Sequence, residues 1–105
     1  SNLFGRKQFD LFWQQVLNLE NAPNDLRDLF LFVNTHLFKI FDVESLNQKS
    51  SLNKYEKEIV SQSRNWEKGL ILKYMKMFNQ WELRLKQNDS FIIPEIKLMA
   101  IKCQI

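Results

Sequence analysis

The sequence predicts an all-α domain, a compact orthogonal or up-and-down bundle of three to five helices, and three observations lead there. Apolar residues recur at steps of three and four through most of the chain, the period of a helix with one buried side. Only two Gly and two Pro occur in 105 residues, too few turn-formers for a fold of many short strands. A content of 45% hydrophobic residues, 13% of the chain aromatic, fills one core, so residues 1–105 read as a single helical domain.

Gln8 to Leu19 places Phe9, Phe12, Trp13, Val16 and Leu19 at helical spacing. Asn21-Ala22-Pro23-Asn24-Asp25 then offers a turn, an Asn cap, a first-turn Pro and acids for the positive end of the next helix. That second helix runs from about Asp25 to Phe41. Its main face carries Leu26, Leu29, Phe30, Val33, Leu37, Ile40 and Phe41, all within roughly 100° of one direction. Leu31 and Phe38 lie nearly opposite, so the helix is apolar on two sides. In so short a chain, a central and fully covered place in the bundle accounts for this most simply. Residues 42–51, DVESLNQKSS, read as a polar connection.

From Leu52 to Lys86 there is no Pro, and Leu52, Tyr55, Ile59, Gln62, Trp66, Leu70, Tyr74, Met77, Trp81 and Leu85 keep the helical step almost throughout. One straight helix would span about 50 Å at 1.5 Å per residue, too long for a domain of this mass. A bend or a break into two helices is expected near Ser61-Gln62-Ser63 or Gly69. The mean step exceeds the 3.5 of a heptad, which disfavours a long left-handed coiled coil. Asn88-Asp89-Ser90 reads as a turn. Phe91-Ile92-Ile93 reads as extended, because the residue before Pro94 avoids the α region. Pro94 then opens a final helix with Ile96, Met99, Ala100 and Cys103 on one side, a face that Ile101 and Ile105 blur.

Chemistry-bearing residues are sparse. His36 is the one histidine, which removes multi-histidine metal sites; at the edge of the second helix's apolar face it is expected as a partly buried structural imidazole or a solvent-facing residue. Asp25 and Asp28 share a helix face, but acids there serve the helix N-terminus. Cys103 is the one cysteine; it excludes an intramolecular disulfide and reads as a small apolar residue. No phosphate-cradling glycine loop, Cys-x-x-Cys or catalytic signature occurs. The chain therefore reads as non-enzymatic, with no catalytic, cofactor-binding or metal residue assigned. No run of 18 apolar residues is present, so no membrane span is expected. The start, Ser1-Asn2-Leu3-Phe4-Gly5-Arg6, has no signal-peptide pattern. Together with the single cysteine this suits intracellular residence, cytoplasmic or nuclear.

Charge and a second apolar stripe carry the functional expectation. Residues 1–51 hold five basic and six acidic side chains, residues 52–105 ten and six, so the positive charge lies in the second half. Leu72, Met75 and Leu83 point away from the face of Leu70, Tyr74, Met77 and Trp81. A bundle closed around this segment buries both sides. Otherwise Leu72, Met75 and Leu83 form a contact surface rimmed by Lys68, Lys76 and Lys86, suited to an acidic amphipathic helix of another protein. Leu31 and Phe38 join it only if folding brings their side into register. The expected role is a protein-interaction, scaffold or regulatory domain. The alternatives are nucleic-acid association through Lys54, Lys57, Arg64 and Lys68 on phosphates, and structural self-association. The blandest account of the charge is a solvated face with the i,i+4 pairs Lys54–Glu58 and Glu82–Lys86.

Overall fold

Each helix follows from a local signal, and the computed structural model, which describes residues 2–89 and 91–104, contains no strand among the described residues. Its elements are α1 (Asn2–Gly5), α2 (Phe9–Asn18), α3 (Pro23–Phe41), α4 (Val43–Asn47), α5 (Lys54–Ser63), α6 (Lys68–Lys86) and α7 (Ile92–Gln104). Among the described residues seven helices replace the expected three to five, because the sequence hides two of four and five residues that are too short to show a period. Ser1, Ser90 of the expected turn and Ile105 lie outside the described residues.

The expected first helix is α2, burying Phe12, Trp13 and Val16. In α3 the Pro stands at the first position as anticipated, but the cap is Ala22 with no side-chain hydrogen bond rather than an asparagine. The expected polar connection is interrupted by α4, which Ser45 Oγ steadies by donating to Asp42 Oδ2 at 2.9 Å.

The long periodic segment is two helices. The first ends at Ser63 and the next begins at Lys68, so the break falls beside one expected site, and Gly69 lies inside the helix. Asn53 caps α5 through a reciprocal pair: its side chain accepts from Glu56 N–H at 2.8 Å and Glu56 Oε1 accepts from Asn53 N–H at 3.0 Å. The break resets the helical phase. Ile71, Phe78, Trp81 and Leu85 are the buried residues of α6, while Leu70, Tyr74 and Met77 are only half-buried.

At its far end, α6 closes with Asn88 in the left-handed region at φ 57°. Asp89 N–H then donates to Arg84 O and Asn88 N–H to Leu85 O, both at 3.1 Å, which satisfies carbonyls the helix leaves open. The expected extended piece at 91–93 is instead the start of α7. Asp89 Oδ1 accepts from Phe91 N–H at 3.0 Å, and Pro94 falls in the first turn, where a missing N–H costs no intrahelical bond.

The core gathers around Phe4 and Phe78, both fully buried. The Phe4 ring meets Phe12 at 4.8 Å, Tyr74 at 4.9 Å and Phe78 at 5.1 Å, largely edge to face, the arrangement aromatic quadrupoles favour. Trp13 packs against Trp81 at 6.0 Å, whereas Trp66 stacks on Phe4. Trp66 Nε1 also donates to Gly5 O at 2.7 Å, which ties α1 to the α5/α6 junction. α3 and α6 share the most extensive helix contact, α2 packs on α7, and α1 bridges α2 and α3.

A second tie is polar. Gln62 Nε2 donates to Glu58 Oε1 at 3.0 Å, which turns Gln62 Oε1 toward His36. An oxygen there only accepts, so His36 Nε2 carries the hydrogen and donates at 2.6 Å, leaving Nδ1 to accept from the Tyr55 hydroxyl at 3.0 Å. His36 and Gln62 are both buried, and a Cβ added at Gly5 would run into Gln62 Oε1 and the His36 ring. His36 is therefore a structural imidazole, a junction between α1, α3 and α5.

Candidate functional site

α3 and α6, each of 19 residues, lie antiparallel in a fixed register. Arg27 Nε donates to Glu82 Oε1 at 2.9 Å, Asn34 Nδ2 donates to Met75 O at 3.0 Å, and the Lys68 ammonium sits 5.4 Å from the Phe41 ring. Each contact moves seven residues forward on α3 and seven back on α6. Phe38 therefore falls one residue from level with Leu72, Leu31 one residue from Asn79, and Asp28 two residues from Leu83.

This seam divides the pair into a core side and an outer side. At about 100° per residue, Val33 and Leu37 are turned from Asn34 toward the core, and Leu31 and Phe38 are turned by about 40–60° the other way. On α6 the same rotation from Met75 leads to Leu72, Asn79, Leu83 and Lys76. Antiparallel helices carry equal rotations to one common side, so these residues share the outer face. Asn34, Leu72, Met75, Lys76 and Asn79 line a shallow depression there. Leu31, Phe38, Leu72 and Leu83 keep between 48% and 53% of their surface exposed. The central, fully covered place expected for the second helix is not what forms: only one of its apolar sides is buried. Met75 is half-buried against the core and forms the floor of the strip. Beneath it, Asn34 Oδ1 is buried with no hydrogen-bond partner among the described residues.

The rim is basic. Lys68, Lys73, Lys76 and Lys86 are exposed on α6, and the single acid of that helix, Glu82, is already held by Arg27. Lys68 reaches Glu44 at 3.5 Å; among the described residues Lys73, Lys76 and Lys86 make no ion pair. The expected i,i+4 pairs do not form, because longer-range partners win. Glu58 turns to Arg6 at 2.7 Å, and Glu82 to Arg27. The Arg6 guanidinium holds the Glu58 carboxyl below its ordinary range.

The residues anticipated for nucleic acid divide at the break. Lys54, Lys57 and Arg64 are exposed along α5 without ion pairs among the described residues, while Lys68 starts α6 and faces Phe41 and Glu44. Burial raises the Cys103 thiol above its ordinary value, which lowers its thiolate fraction and reactivity. Among the described residues no three His, Cys, Asp or Glu side chains gather as a metal site, and no helix is long and apolar enough to cross a membrane.

The sequence marks Leu72, Met75 and Leu83 as the strip and admits Leu31 and Phe38 only if folding brings them into register; it reaches neither Asn79 nor the register itself. The two-sided pattern of both 19-residue helices was the signal; their mutual register lies in long-range contacts that a linear reading does not supply. Comparison with known proteins finds no matching family model, curated protein or solved structure.

Proposed function

We propose that the outer face of the α3/α6 pair docks an acidic amphipathic helix of another protein, making the domain a scaffold or regulatory module. The observation that carries this reading is that half-exposed Leu31, Phe38, Leu72 and Leu83 stand on one face of the helix pair, with Met75 between the helices. The strip runs about 17 Å from Leu72 to Leu83, and with Lys68 and Lys86 beyond its ends the face spans about 27 Å at 1.5 Å per residue, which matches a partner helix of about five turns. The occupant's charge follows from the lysines of α6, which outnumber Asp28 of α3, the acid beside Leu83 without an ion pair among the described residues. Leucine anchors supply most of the affinity and the lysines mainly set orientation and association rate.

The test is a titration with a labelled amphipathic peptide of about five turns, leucines on one side and glutamates flanking them. It binds saturably, Leu72→Asp weakens it by about tenfold or more, and Lys76→Glu weakens it less and in a salt-sensitive way. Equal binding of a lysine-flanked version, or indifference to Leu72→Asp, overturns the reading.

A second reading rests on Lys54 and Lys57 of α5 and Arg64 just beyond its end, all without ion pairs among the described residues. They would contact nucleic-acid phosphates with steep salt dependence. Loss of nucleic-acid binding in Lys54→Glu with Lys57→Glu, and not in Leu72→Asp, distinguishes it.

A further inference from the structure

We propose that the outer face of α7 is a self-association surface, on which a second copy of this chain packs its own α7 end for end about a two-fold axis beside Leu98. The helix buries Ile92, Ile96 and Ala100. At about 100° per residue, Phe91, Pro94, Leu98 and Ile101 fall on the opposite side. All are exposed, and Phe91 and Leu98, at 78% and 70%, exceed every other large apolar side chain among the described residues. Their steps of three, four and three are those of a seam between two helices. Beside Leu98 the apolar surface continues into a shallow depression of about 350 Å³ against α6, lined by Met77, Trp81 and Met99.

The charges around the stripe select the occupant. Near the start of α7, Arg84 bridges Asp89 and Glu95, which leaves one negative charge in excess. Seven residues beyond Glu95, on the same edge of the stripe, Lys102 has no ion pair among the described residues. Lys73, one turn before Met77 on the antiparallel α6, is exposed toward that same positive end. On the other edge Lys97 is held by Glu20, while Lys7 and Asp10, which line a depression with Cys103, offset each other.

A partner of one sign is therefore attracted at one end of the stripe and repelled at the other. A second α7 turned end for end is attracted at both, because a two-fold axis sets the same edge of each stripe side by side. With the axis beside Leu98, the two leucines meet. Pro94 of each copy then lies within one residue of level with Ile101 of the other, and Glu95 within one residue of Lys102. Arg84 occupies Oε2 of Glu95; Oε1 has no partner among the described residues. The stripe is about 15 Å long at 1.5 Å per residue. The dimer thus buries less than the roughly 1,600 Å² of a standard interface and is weak, with a Kd above about a micromolar. The docking strip uses a different side of α6, and this proposal does not rest on that reading.

The experiment is sedimentation equilibrium of the whole domain from about 10 micromolar to about 1 millimolar. The average mass rises from that of one chain toward that of two. Leu98→Asp weakens association about tenfold or more with unchanged melting, and Leu72→Asp leaves it unchanged. Glu95→Lys and Lys102→Glu each weaken it about fivefold, since each sets like charges together twice in the dimer, and an equimolar mixture of the two variants recovers it. A mass of one chain throughout, association indifferent to Leu98→Asp or lost in Leu72→Asp, or a mixture that associates no better than its components overturns the proposal.

Discussion

A buried imidazole that must stay neutral makes the domain's stability depend on pH at one residue. Burial is the largest influence on His36 and pushes its pKa below the ordinary 6.5; the bond to Gln62 opposes this in part, Lys39 adds to the lowering and Glu58 counters it. The fold thus favours the uncharged ring. Its contribution is whole above the ordinary value and is lost as pH falls from 6.5 toward the lower folded value, because the unfolded chain takes up the proton first. Urea midpoints should fall between about pH 7.5 and about pH 5.5, above the range where carboxylates titrate. His36→Gln should flatten that interval; an equal slope in the variant contradicts the assignment. Gly5 is the other sensitive residue of this junction. Gly5→Ala forces apart the His36–Gln62 pair and should cost about 2 kcal/mol by overpacking, read from denaturant unfolding. In the sequence His36 shows, by its place at a helix-face edge, as a partly buried structural imidazole or a solvent-facing residue. Gly5, Gln62 and Phe4 carry no such sign, since their importance comes from contacts across more than 25 positions of chain.

At the scale of elements, local signals set most helix ends while tertiary contacts set which face is buried. α2 and α3 follow their apolar period closely, and the break before α6 falls where a straight helix would outgrow the molecule. α1 and α4 escape a periodic reading because one turn has no period, and Phe4 holds the first in place against Phe9 and Phe12 of α2 and against Tyr74 and Phe78 of α6. α7 begins earlier than the Pro94 rule suggests because Asp89 accepts the Phe91 N–H and first-turn amides need no helical partner. In α6, the four residues of the break shift the buried face from Leu70 and Met77 to Ile71 and Phe78. That shift makes neighbours behave oppositely: Ile71→Ala should cost about 3 kcal/mol, as for a fully buried aliphatic residue. Leu72→Asp should stay within about 0.5 kcal/mol. Comparable losses for both would mean that Leu72 is covered. The capping box gives a third expectation: Asn53→Ala should lower stability by about 1 kcal/mol, seen as a lower melting temperature.

At the scale of the whole molecule, two exposed apolar stripes among the described residues compete as contact surfaces. One is the α3/α6 strip. The other runs along α7, where Phe91 and Leu98 are 78% and 70% exposed. The α7 stripe has mixed flanks, Lys97 paired with Glu20 and Glu95 with Arg84, and its one lysine without an ion pair among the described residues, Lys102, offers less charge to select a partner. The α3/α6 strip lies beside four exposed lysines and spans the two longest helices, in a molecule 47 Å long. The positive half expected from the charge count thus coincides with an open apolar strip, which composition alone does not reveal. Mapping the bound acidic amphipathic peptide by amide chemical shifts tests the central claim most directly. The account predicts perturbations along Leu31, Asn34, Phe38, Leu72, Met75, Asn79 and Leu83 that disappear in Leu72→Asp. Perturbations centred on Phe91, Leu98 and Ile101, or none at saturating peptide, would contradict it.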